Sequence, residues 1–88
     1  MNMRGYHLKE NVPWKEVTRI LYWYLCMNVR HIWNQQERGD ERAVQLMLPE
    51  LRQSYETVRS LRRFLGYPGS TKWEREAAKL LEYETQEP

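Results

Sequence analysis

The sequence predicts an all-α fold, a small three-helix bundle, and three observations carry that prediction. Trp14 to Arg38 runs without a turn residue, far beyond the usual length of a strand. Leu51, Tyr55, Val58, Leu61 and Leu65 recur at three- and four-residue spacing, which places one apolar stripe along a second long helix. Helix punctuation recurs at the joins: Gly39 then Asp40 reads as a stop and a cap, and "GYPGST" with Thr71 and Glu74 reads as a turn and a capping box.

Each element follows in order. Residues 1–10 show neither helical nor strand period and are expected to form a flexible N-terminal arm. A single helical domain is expected over 11–84, with frayed residues 85–88. "NVPWKE" places a capping-type Asn11 before Pro13, which has no N–H to lose in a first turn, and Glu16 sits near the positive helix end. The first helix should therefore start near Pro13 and end before Gly39. The second begins after Asp40. Pro49 falls inside its apolar pattern, where it removes a hydrogen bond and crowds the preceding turn, so it should kink the helix or restart it; the favoured reading is a short helix over 41–48 leading into a longer one from Pro49, which would make four segments of the three main helices. Gly66 ends that helix. In the last one Trp73, Ala77, Leu80 and Leu81 share a face.

Composition bounds the function. With 88 residues there is room for one core. Hydrophobic residues make up 41% and charged residues 30%, as in folded globular chains, although mean hydropathy is only −0.90. The net charge of +2 is far from the composition of a chain that lives on nucleic-acid phosphates. The single cysteine, Cys26, excludes an internal disulfide and a cysteine-based zinc site. "MNMRGYHLKENV" has no apolar signal-peptide core, and the apolar run from Ile20 is too short to cross a bilayer. A soluble, cytoplasmic protein without cofactor or metal is the expectation.

One stretch stands out against the low hydropathy: "ILYWYLCMNV", Ile20 to Val29, with Asn28 its one clearly polar residue. At about 100° per residue, Trp14, Val17, Leu21, Leu25 and Ile32 gather on one face of the first helix, with Ile20, Tyr24 and Met27 adjoining. That wide arc fits a helix packed against two others, and it makes most of the stretch core. Arg19, Trp23, Cys26, Arg30 and Trp33 then follow i, i+4, i+7, i+11, i+14 spacing on the other side, with Tyr22 at the edge. Trp, Tyr and Arg dominate interface hot spots, so this stripe is the candidate protein-binding surface. The bland alternative is that segment 41–48 or the N-terminal arm folds over Trp23 and Trp33 and enlarges the core.

Catalytic constellations are missing. Cys26 and His31 lie about 140° apart on one helix and cannot share a hydrogen bond. His7 sits in the arm, the four glycines are scattered, and Glu74, Glu76, Glu82, Glu84 and Glu87 read as a solvated acidic face and tail. No nucleophile, base and orienting group converge, and no enzyme is predicted.

"SLRRFLGYPGSTKWEREAAKLLE" has the outline of a helix-turn-helix. Over about a dozen residues it resembles the "LGYP" turn in the helix-turn-helix segments of some insertion-sequence transposases. That resemblance implies DNA binding, with Arg59, Arg62 and Arg63 reaching phosphates and Lys72 and Arg75 reaching bases. Three features depart from the motif: a long turn from Gly66 to Thr71, Arg62 where a small residue usually packs, and a second helix with more acidic than basic groups. An ordinary helix hairpin with basic residues snorkelling at its end is the simpler alternative. "ILYWY" also brushes the Leu-Tyr-Arg signature of small mitochondrial helical adaptors, but Trp23 stands where that signature needs arginine.

The expected function is thus a small non-enzymatic protein-binding module, an adaptor, accessory subunit or inhibitor of a larger machine. Its expected partner is another protein, or a second copy as a homodimer, with no membrane and no small-molecule substrate. A DNA-binding helix-turn-helix protein and a self-assembling structural subunit are the alternatives.

Overall fold

A computed structural model describes residues 12–82. The expected arm over 1–10, the Asn11 cap and the expected fraying over 85–88 lie outside the described residues. Three helices follow one another: α1 (Trp14–Glu37), α2 (Glu41–Leu65) and α3 (Lys72–Leu80). The described residues contain no strand, and the fold is an all-α three-helix bundle.

The helix ends follow from local chemistry. Pro13 is itself the N-cap of α1, and its carbonyl accepts from the Val17 N–H at 3.0 Å. After Glu37 the chain turns through Gly39 at φ +74°, a left-handed conformation that glycine adopts without strain. Asp40 caps α2, accepting from the Ala43 N–H at 3.1 Å. Gly66, at φ +82°, closes α2 as the Tyr67 N–H donates back to the Arg62 carbonyl at 2.9 Å. At the start of α3 the backbone N–H and the hydroxyl of Thr71 both donate to Glu74 Oε1, at 2.7 and 2.8 Å, within the expected capping box.

The break expected at Pro49 does not occur: α2 is one helix of 25 residues with Pro49 inside it. The proline deletes the N–H that would bond to the Gln45 carbonyl. Both residues are exposed, so water can satisfy that carbonyl. Val44, Met47 and Leu48 before the proline and Leu51 after it pack into the same core, which holds the two halves in line.

Leu25, Val29 and Ile32 of α1, Leu51, Tyr55 and Val58 of α2, and Ala77 and Leu81 at the end of the chain's third helix form that core. Asn28, the polar residue of the apolar stretch, donates through Nδ2 to Ser54 Oγ at 3.1 Å, and Ser54 in turn donates to the Leu51 carbonyl at 3.0 Å. A buried serine and a half-buried asparagine thereby satisfy each other where α1 crosses α2. At the opposite end, Trp14 meets Phe64 edge-on with ring centroids 5.7 Å apart.

The buried arc of α1 differs from the expected one. Leu25 and Ile32 are core and Leu21 packs against it, but Ile20 and Tyr24 are exposed, while Val29 and Tyr22 take the covered side instead. The cause is where the short third helix sits. α3 spans nine residues and closes only one flank of the α1–α2 pair, so among the described residues no helix lies over the other flank of α1.

Candidate functional site

The predicted protein-binding stripe is split lengthwise by α3. On the covered flank, the Tyr22 hydroxyl accepts from the Trp73 N–H at 3.3 Å, and the Trp33 ring lies 5.6 Å from that of Trp73. Cys26 is half-buried between the two flanks. On the open flank, Trp23 is 60% exposed, and Arg19 and Arg30 are exposed on either side of it along the helix. Trp33 lies about 80° around the helix from Trp23, enough to bring one face of its indole against α3, yet it stays 36% exposed where Trp23 is 60% exposed. Segment 41–48, one expected cover for both tryptophans, does not bury Trp23, and Trp33 is shielded only in part, by its contact with Trp73 of α3.

Around Trp23 the open flank is more apolar than the stripe suggested. Ile20 is 59% exposed beside it, and across the helix pair Leu46 of α2 is 71% exposed. A cleft of about 280 Å³ separates the two helices here, lined by Trp23, Tyr24, Met27, His31, Met47 and Glu50 among others. A second cleft of about 480 Å³, lined by Leu21, Pro49, Gln53 and Thr57, shares Tyr24 and Glu50 with the first. The Tyr24 hydroxyl donates to the Glu50 carboxylate across the junction of the two. That hydrogen bond holds the phenol's proton and pushes its pKa above the usual 10.0, with desolvation and the carboxylate charge adding to the rise.

Helical periodicity assigns Ile20 and Met27 to the core arc, whereas Ile20 is exposed and Met27 half-buried in the cleft wall, and it gives no role to Leu46, which is exposed. The available signal was that Ile20, Trp23, Met27 and Arg30 keep their own regular spacing, parallel to the stripe that was chosen. Charge on this flank is unevenly compensated. Arg19 pairs with Glu16 one turn earlier, whereas Arg30 has no ion pair among the described residues.

Of the five candidate nucleic-acid contacts, Arg62, Arg63, Lys72 and Arg75 flank the α2–α3 turn and Arg59 lies about two turns back in α2, and most already have partners within the chain. Arg62 is the hinge pin: its Nε lies 3.1 Å from Glu74 Oε1, its Nη2 donates to the carbonyls of Pro68 and Gly69 at 2.9 and 3.3 Å, and its guanidinium covers the Tyr67 ring. Glu74 is only 2% exposed, so it is no part of a solvated acidic face. The physical reason is double service, since one carboxylate closes the capping box of α3 and neutralises Arg62. Arg75 Nη1 donates to the Ser70 carbonyl at 2.7 Å, Arg59 Nη1 donates to the Tyr55 hydroxyl at 2.8 Å, and the Lys72 ammonium sits over the Trp73 ring. Arg63 is exposed.

Among the described residues no three His, Cys, Asp or Glu side chains come together as a metal site, and no helix is long and apolar enough to cross a membrane. His31 is exposed while Cys26 is half-buried on another side of α1, an arrangement without a base beside a nucleophile. Comparison with protein-family models, with curated proteins and with solved structures finds no match to this chain.

Proposed function

We propose that the protein is a non-enzymatic protein-binding module that docks through the open flank of α1, serving as an adaptor, accessory subunit or inhibitor of a larger assembly. The observation that carries this is a tryptophan more than half exposed in the middle of a 24-residue helix, with Ile20 beside it and, two turns on, an exposed Arg30 that has no ion pair among the described residues. A large indole in water forgoes hydrophobic stabilisation that burial against a partner would recover. The helix beneath is rigid, so little ordering entropy opposes docking. Arg19, Trp23 and Arg30 are the anchors retained from the predicted stripe. Tyr22 and Trp33 act behind them, meeting Trp73 of α3, while half-buried Cys26 lies between. A cytoplasmic setting belongs to the same proposal and fits a chain with one unpaired thiol.

Trp23→Ala tests it. The variant should keep wild-type helicity and melting behaviour while losing the proteins that wild-type bait retains from cell extract, and Arg30→Glu should lose the same ones. A molten Trp23→Ala variant, or one that retains every captured protein, would refute the docking role. DNA binding by residues 59–79 is the less supported reading, because Arg62 and Arg75 would have to leave turn carbonyls and Glu74 to reach a duplex. Steeply salt-dependent duplex binding, lost in an Arg62→Ala, Arg75→Ala double variant, would restore it.

A further inference from the structure

The open flank of α1 carries a second regular row: Glu16, Ile20, Trp23, Met27 and Arg30, spaced four, three, four and three. A mean spacing of 3.5 residues is that of a coiled-coil seam, and it keeps the row nearly parallel to the helix axis. Glu16, Ile20, Trp23 and Arg30 are all exposed, and Met27 forms part of the adjoining cleft wall. The row also has an inner symmetry. Counted from Trp23, its members stand at −7, −3, 0, +4 and +7, so reversing the helix direction superimposes the row on itself to within one residue. The chemistry is matched to that reversal, because the ends carry opposite charges and everything between them is apolar.

We propose that the occupant of this face is a second copy of the chain, packed antiparallel about a twofold axis beside Trp23. Each Glu16 then meets the Arg30 of the other copy, Ile20 lies beside the other Met27, and the two Trp23 rings meet at the axis. Glu16 and Arg30 are about 21 Å apart along the helix at 1.5 Å per residue. That separation is identical in both copies, so both ion pairs close at once in an isologous contact. A parallel twofold arrangement would oppose Glu16 to Glu16 and Arg30 to Arg30, which like-charge repulsion disfavours. The pair that Glu16 makes with Arg19 does not compete strongly. Both side chains are largely solvent-exposed, and such pairs contribute little. A contact confined to one helix from each copy falls at the small end of specific interfaces, so dissociation in the micromolar range is expected.

This inference rests on the proposal that the open flank of α1 binds protein, and its test separates the two. Size exclusion with light scattering, from about 1 to about 500 µM to bracket a micromolar constant, should show the mass rising from 10.8 kDa toward twice that value. Glu16→Arg and Arg30→Glu should each weaken the dimer by about tenfold or more, since each sets like charges against each other twice. The Glu16→Arg, Arg30→Glu double variant should return to within about threefold of wild type, the signature of a direct pair in a double-mutant cycle. Circular dichroism accompanies each variant, and if a reversal disturbs the fold, Glu16→Gln and Arg30→Gln replace it with a smaller expected loss. A wild-type monomer across the whole range overturns the inference, as does a double variant no tighter than the singles. A monomer whose capture of another protein still depends on Trp23 overturns the second copy alone; a monomer without such capture overturns the docking proposal as well.

Discussion

Trp33 and Trp23 stand ten residues apart on one helix, in the same predicted stripe, and end in different surroundings. Trp33 leans on Trp73 of α3, near the Tyr22 hydroxyl that holds the first turn of that helix. Trp23 faces water beside Ile20. Their intrinsic preferences are identical, so the contrast isolates the effect of position. A rotation of about 80° around α1 separates an indole that leans on α3 and is 36% exposed from one that is 60% exposed, and the location of a nine-residue helix sets which is which. The same division runs through the polar groups. On the covered side Glu74 and Arg62 are locked together below the surface, while on the open side Arg30 has no ion pair among the described residues.

The strongest way to challenge this contrast is to move from the open face to the core of the same helix. Leu25→Ala should cost about 3 kcal/mol in chemical denaturation, because a fully buried leucine leaves a cavity that its neighbours only partly fill. Trp23→Ala, two residues away, should change stability by no more than about 0.5 kcal/mol despite removing a larger side chain. Comparable losses at the two sites would mean that Trp23 is packed. The covered flank is probed next through its anchor. Glu74→Ala should cost about 2 to 3 kcal/mol, since it leaves the Arg62 side chain with only the turn carbonyls and also removes the capping box. The accompanying red shift in tryptophan emission would report half-buried Trp73 becoming exposed, and Trp33 losing its contact with it, as α3 loosens.

The smallest expected effect sharpens the open side. Tyr24 donates to Glu50, and its raised pKa means that the folded state keeps this proton at pH values where the unfolded chain has begun to lose it. The stabilisation is therefore fully present below the ordinary phenol value of 10.0 and is lost as pH rises through the raised one. Ultraviolet titration should show a late-ionising tyrosine that disappears in Tyr24→Phe. An unchanged titration curve in that variant would remove the bridge between the two clefts.

Much of the architecture is readable from neighbouring residues. Gly39 with Asp40, Gly66, and Thr71 with Glu74 act within one turn of themselves, so their stops and caps appear where the residue types place them. Pro49 was misread for the complementary reason. Its local cost is real, but Val44, Met47, Leu48 and Leu51 share one core across it, and that coupling is invisible in a window of a few residues. Glu74 was half legible: the capping box was evident, whereas its burial depends on Arg62, twelve positions earlier on another helix.

The candidate site divides along the same line. Residue types and spacing alone establish that α1 is a long helix with more apolar and aromatic surface than one partner helix can cover, because helical period and side-chain chemistry are properties of consecutive residues. They also place a stripe through Trp23, Cys26 and Trp33 outside the arc expected to be core, while Ile20 and Met27 are assigned to that arc and only the structure brings Ile20 to the surface. Which side of α1 is covered is a matter of where α3 docks. That choice is made by contacts between residues about forty to fifty positions apart, Tyr22 and Trp33 with Trp73, whose geometry exists only once the turn pinned by Arg62 has brought the chain back.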